Sequence, residues 1–206
     1  MMNEAITASP RSGRWFWPAW GAAFLGFPIG GAAATALVGP IETVGAAAIA
    51  GGVAGGLIGA AQWLVLRRRL SLSALWVGAT AGGMALGMAL GTAFLGDDTA
   101  MLPLLLRALV AGSAIGAAQG VVLRGMLPMP AIWAVVVTLG WALAWAVSAA
   151  TGLDLAPKWA VFGASGALTF QLATGLTLAY LLRQPARALA PAREFGPVAT
   201  VGGAQL

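Results

Sequence analysis

The side chains able to do chemistry in this 206-residue chain are few, and their types exclude most reactions. It has no histidine and no cysteine, which removes the commonest general base, the usual haem ligand, and any thiol nucleophile, thiolate metal site or disulfide. What remains is amide and guanidinium chemistry. Gln62 and Gln119 stand at matching points of a repeated segment, Gln171 stands near the middle of the last apolar run, and Arg107 lies inside the end of another. An amide orients a ligand or joins two helices but does not ionise. There are no paired carboxylates in an apolar run, no serine with a base, no metal-ligating set and no phosphate loop, and the glycines around Gly82 and Gly83 lie in an apolar run where their spacing is no nucleotide motif. The chain reads as a non-enzyme with no cofactor predicted and no metal site. A bound lipid or an apolar pigment remains compatible with it.

The elements that carry these residues are set by composition. Sixty per cent of the chain is hydrophobic and only 8% is charged, with a mean hydropathy of +0.88, so it lacks the polar surface to cover an aqueous fold. Uncharged runs long enough for the roughly 30 Å hydrocarbon core fall at 15–38, 43–66, 73–95, 101–123, 131–152 and 158–182. Between them lie Gly39-Pro40, Arg67-Arg68-Arg69, Gly96-Asp97-Asp98, Pro128 with Pro130, and Gly152 through Pro157. The expected fold is all-α, an integral bundle of six transmembrane helices over 15–183. A short segment, 1–14, precedes it, and a flexible tail, 184–206, interrupted by Pro185, Pro191 and Pro197, follows. The first run, too long for a leader's apolar core, is read as a full span rather than a cleaved signal.

Charge sets the orientation. With both termini inside, the inner side holds Arg11, Arg14, Arg67, Arg68, Arg69, Arg124, Arg183, Arg187 and Arg193, and the outer side only Arg107 and Lys158. That asymmetry predicts cytoplasmic termini in a bacterial inner membrane. Trp15, Trp17, Trp20, Trp63, Trp76 and Trp133 fall at the same ends and are expected to form an interfacial aromatic belt. The net charge of +5 does not indicate nucleic acid, because the basic residues are scattered at segment ends rather than gathered on an aromatic-interleaved face.

Internal similarity is pronounced. Ile58 to Arg67 recurs as Ile115 to Arg124 with eight of ten residues identical, and Gly175 to Arg183 keeps the glycine-to-arginine spacing with Leu178 in place of the glutamine. Trp20, Trp76 and Trp133 open the preceding helices, which predicts three tandem parallel hairpins over 15–67, 73–124 and 131–183 around a pseudo-threefold axis. Ladders at Gly51, Gly55 and Gly59, at Gly83, Gly87 and Gly91, and at Gly112, Gly116 and Gly120 are expected to pack helices closely. A groove for a lipid tail or pigment is their functional alternative. Gln62 and Gln119 share the glycine faces, where each supplies either an interhelical hydrogen bond of about 0.6 to 2 kcal/mol or part of a polar vestibule. Gln171 is the deepest amide and the better ligand candidate. Arg67, Arg68, Arg69, Arg124 and Arg183 are expected as snorkelling anchors or lipid-headgroup contacts. Arg107 is read as the partner of the Asp97 and Asp98 loop, or as an anion gate.

The repeated Gly-Ala-Ala-Gln-x-x-Val-Leu-Arg ending, followed by a Trp-led glycine-rich helix, resembles a group of small, uncharacterised bacterial multi-pass membrane proteins. The similarity covers helices two to five well and the end of helix six poorly; it implies a fold and a location, not an activity. Mitochondrial carriers also use three two-helix repeats, but their proline and charge signature is missing. Two functions follow as expectations. The first is a non-catalytic membrane subunit or scaffold packing against partner proteins, lipids or pigments; the alternative is a small transporter or channel along the pseudo-threefold axis.

Overall fold

A computed structural model of the chain describes residues 15–183 except 128 and 156–157. The expected terminal segments 1–14 and 184–206, with Arg11, Arg14, Arg187 and Arg193, lie outside the described residues. Six long helices account for most of the rest. They are α1 (Phe16–Val38), which contains a 3-10 turn at Ala23–Leu25, α2 (Val44–Leu66), α3 (Leu75–Leu95), α4 (Met101–Val122), α5 (Pro130–Ala150) and α6 (Ala164–Leu181). Helices α1 to α5 are long and apolar enough to cross a bilayer, so the chain is a multi-pass helical membrane protein. Their ends follow local chemistry. Thr43 caps α2 by accepting from the Ala46 amide at 3.1 Å, Pro130 opens α5, and Gly39 and Gly96 close α1 and α3 with φ of 67° and 70°, a backbone that favours glycine.

The sixth element corrects the expected run at 158–182. Helix α6 begins only at Ala164 and has 18 residues, and its hydroxyls and Gln171 leave it outside the set that qualifies as a span. Those hydroxyls are satisfied within the helix: Thr169, Thr174 and Thr177 donate to the carbonyls of Ser165, Phe170 and Ala173 at 2.8 to 2.9 Å. The preceding segment from Trp159 to Gly163 is not helical. It turns inward, burying Ala160, Val161 and Phe162. Phe162 stacks on Phe27 of α1 at 5.3 Å and meets Trp141 of α5 edge-on at 4.8 Å, so aromatic burial replaces the first helical turns the apolar run predicts.

Each helix packs on its neighbour in the chain, and α6 returns to α1. The six form a closed cycle. Among the described residues no helix backbone meets one across it, and side chains such as Phe27, Trp141, Phe162 and Phe170 bridge the interior. Neighbours meet at glycine. A Cβ added at Gly51 or Gly55 would lie 2.7 Å from a backbone carbonyl oxygen of α3, at Met84 or Thr80, and one at Gly59 would lie 2.9 Å from Thr80 Cβ. Gly83 and Gly87 press on Ile115 and Ala111 of α4, Gly112 and Gly116 on Thr138 and Ala134 of α5, and Gly26 and Gly30 of α1 on Ile58 and Ala54 of α2. Gly91 and Gly120 sit more loosely, with Arg107 and Pro130 at 3.3 and 3.5 Å. Without hydrophobic force between helices in lipid, such backbone contact supplies the attraction.

Adjacent glycines on α3 give a direct check. A Cβ at Gly83 would lie 2.8 Å from Ile115 Cα, whereas one at Gly82 meets nothing within 4 Å. Replacing Gly83 by Leu should therefore separate α3 from α4 and destabilise the protein by about 1–3 kcal/mol or more. Gly82→Leu should be close to neutral. Unfolding in mixed detergent micelles measures both.

Candidate functional site

The amide side chains of the helices lie inside the bundle, and two of the three bond a neighbouring helix. Gln62, Gln119 and Gln171 are 2%, 3% and 3% exposed, which places all three inside the bundle. On α4, Gln119 Nε2 donates to Thr80 Oγ1 of α3 at 2.9 Å, and its Oε1 accepts from Trp133 Nε1 of α5 at 3.0 Å. One amide thus joins three consecutive helices. Thr80 Oγ1 in turn donates to the Trp76 carbonyl at 2.8 Å, so the network ends on backbone. Between the last and first helices the exchange is reciprocal: Trp20 Nε1 donates to the Gln171 carbonyl at 2.8 Å, and Gln171 Nε2 donates to the Trp20 carbonyl at 2.6 Å. Trp20 also lies close enough to α6 that a Cβ at Gly175 would fall 2.6 Å from its ring.

The tryptophans correct the aromatic-belt expectation. Trp20, Trp76 and Trp133 are almost fully buried, while Trp15 is 77% and Trp17 44% exposed; Trp63, partly buried, ties the α2–α3 turn by donating to the Leu72 carbonyl at 3.0 Å. Residue type at a helix end cannot separate a ring facing lipid from one wedged against the next helix. A sequence signal for the second role does exist: Trp76 and Trp133 each stand fourteen residues after a glutamine, Gln62 and Gln119. The two pairs differ in detail. Trp76 and Trp133 lie 5.9 Å apart, yet Gln62 Oε1 and Trp76 Nε1 are buried without a hydrogen bond.

The opposite end carries the acidic residues and an ionic latch. Lys158 Nζ bonds Asp97 and also reaches Glu42 at 3.4 Å, joining the α5–α6, α3–α4 and α1–α2 connections. Lys158 has φ of 54°, an uncommon conformation for a side-chain-bearing residue. The bond to Lys158 lowers the Asp97 pKa below its ordinary value, and the same bond raises that of Lys158. Arg107 does not salt-bridge the neighbouring carboxylates. Its guanidinium donates to the carbonyls of Gly96, at 2.7 Å, and Asp98, holding the end of α3 and the following turn. Beside it lies a cavity of about 80 Å³ lined by Met88, Trp141, Trp145 and Trp159, with Arg107 and Lys158 at its edge, room for several waters. Nothing in local spacing predicts this latch, because residues 42, 97 and 158 come from three separate turns.

Arg67, Arg68, Arg124 and Arg183 are exposed at the basic end and Arg69 is half-buried. Arg67 lies over the Trp63 ring at 4.5 Å and Arg69 over Phe16 at 5.2 Å. Among the described residues no group of three metal-ligating side chains comes together. No protein family matches the chain, and comparison with curated proteins and with solved structures finds no match.

Two outcomes follow. Trp133→Phe leaves Gln119 Oε1 buried without its donor and should cost about 1–3 kcal/mol more than Trp76→Phe, which removes an N–H that has no acceptor; unfolding in micelles compares them at equal loss of volume. Asp97, with its lowered pKa, stabilises the latch above the ordinary aspartate range, and its contribution is lost as pH falls through that lowered value. Lys158, with its raised pKa, contributes below the ordinary lysine range until pH rises through the raised value. Amide exchange at 158–163 should therefore show constant protection from about pH 5 to 9 and lose it in Lys158→Met.

Proposed function

We propose that the chain is a non-catalytic integral membrane subunit or scaffold whose partners meet its lipid-facing exterior. The observation that carries this reading is where the polar groups go. All three deep amides are buried, and Gln119 and Gln171 bond neighbouring helices. The exterior offers Ile29, Leu57, Leu86, Leu139, Leu143 and Leu172, each more than a third exposed. Such a surface accepts lipid tails, the helices of partner proteins or an apolar pigment.

A small transporter or channel along the bundle axis is the competing function. A solute path needs polar lining, and Phe27, Trp141, Phe162 and Phe170 occupy the interior that such a path would cross. Three parallel hairpins remain the organisation this reading uses; bonds link Gln119 of the second with Trp133 of the third, and Gln171 of the third with Trp20 of the first. The expected location is a bacterial inner membrane with both termini cytoplasmic. Its support is the basic end, where the described charges are Arg67, Arg68, Arg69, Arg124 and Arg183, opposite Glu42, Asp97, Asp98 and Asp154.

Reconstituted vesicles decide between the two functions. Water, small ions and neutral solutes should cross at the rate of protein-free vesicles, and Gln62→Leu with Gln119→Leu should change nothing in that rate. A flux that the double substitution abolishes, in protein that still folds, would overturn the scaffold reading.

A further inference from the structure

We infer that the basic end of the α1–α2 interface is a binding site for one anionic phospholipid. The inference rests on the chain lying in a membrane and is independent of the scaffold reading. A groove of about 480 Å³ opens there between the two helices, within the usual size of small-molecule sites. Ala19, Ala22 and Ala23 of α1 face Ala61, Leu64 and Val65 of α2, and Arg68 and Arg69 stand at its end beside Trp15 and Phe16.

The groove arises because α1 changes course along its length. From Gly26 outward it lies on α2, with Cβ positions at Gly26 and Gly30 only 3.0 and 3.2 Å from the α carbons of Ile58 and Ala54. Before Gly26, Trp20 draws it toward α6 through the reciprocal bonds with Gln171 and the contact with Gly175. The 3-10 turn at Ala23–Leu25 joins the two courses, and a wedge of space is left on the α2 side. Ala19, Ala22, Ala23 and Ala61 on its lining are too short to fill it.

The shape and charge fit a lipid rather than a soluble anion or a protein helix. From Ala61 to Arg68 is seven residues, about 10 Å of helix, which accommodates the upper part of an acyl chain but offers only about two turns of contact to a partner helix. The arginines meet the groove where a headgroup phosphate would lie, and planar guanidinium groups suit phosphate oxygens. Arg69 also lies over Phe16, which places its charge at the groove wall. Every described acid is at the far end of the bundle, so none of them repels a phosphate at the site. Trp15, exposed on its lining, has the amphipathic ring that settles at headgroup depth.

Native mass spectrometry of the full, delipidated chain, titrated with phosphatidylglycerol or phosphatidylcholine, tests this. One phosphatidylglycerol should bind at least about tenfold more tightly than phosphatidylcholine. Arg68→Gln with Arg69→Gln should erase that preference, and Ala22→Trp, which fills the groove from an exposed position, should weaken both lipids. Arg124→Gln with Arg183→Gln, which removes as much charge elsewhere at the same end, should leave the preference intact. Equal loss in the two arginine pairs would reduce the effect to general surface charge and overturn the site. Unchanged phosphatidylglycerol binding in Arg68→Gln with Arg69→Gln, or displacement of the lipid by inorganic phosphate alone, would overturn it too.

Discussion

Backbone contact at glycine is the constraint on which the bundle depends. Lipid tails are as apolar as leucine, so burying leucine against another helix gains little over leaving it in the bilayer, and helices adhere by close packing instead. The contacts at Gly51, Gly83, Gly112 and Gly116 bring neighbouring backbones within reach of a single missing Cβ. That closeness explains why the chain shows large apolar side chains such as Leu86, Leu139 and Leu172 on the outside and keeps alanine and glycine between helices. The usual aqueous pattern is inverted in size, not in polarity.

Close backbones leave little room for polar groups between helices, and those present are matched to different degrees. Gln119 is matched on both ends of its amide. Gln171 uses its amide nitrogen, while its Oε1 has no partner, so the closing contact between α6 and α1 draws part of its strength from the Trp20 indole bonding in return. Buried hydrogen bonds of this kind select one neighbour over another, since a helix without the complementary group would leave a polar atom unsatisfied in hydrocarbon. Glycine holds helices close without saying which; tryptophan and glutamine supply the choice.

Much of this was legible in the residues, and the reason for each gap is physical. The first five helices begin and end within two residues of the apolar runs, because Gly39, Gly96, Pro130 and the charged turns punctuate the chain where hydropathy changes. Burial of Gln62 and Gln119 could be read from their place on a glycine face. The late start of α6 could not, since Val161 and Phe162 are as apolar in an inward turn as in a helix. The belt misread Trp20, Trp76 and Trp133 for a related reason: an amphipathic ring suits both an interface and a helix junction with one hydrogen-bond acceptor. Lys158 was visible as the chain's only lysine, but its partners at 42 and 97 are set by the closing of the cycle and leave no local pattern.

The two ends of the bundle follow from one connectivity. At the acidic end three turns converge, and Lys158 ties two of them to its own while the Ala160 to Phe162 stretch fills the opening from above. That end is closed by parts of the chain itself. At the basic end the junction between first and last helices is made by Trp20 pulling α1 away from α2, and the chain supplies no segment among the described residues to fill what opens behind it. Along α1 the contact with α2 is close from Gly26 onward and opens before it, where Trp20 turns toward α6, so the packing compromise that joins the first helix to the last falls beside Arg68 and Arg69.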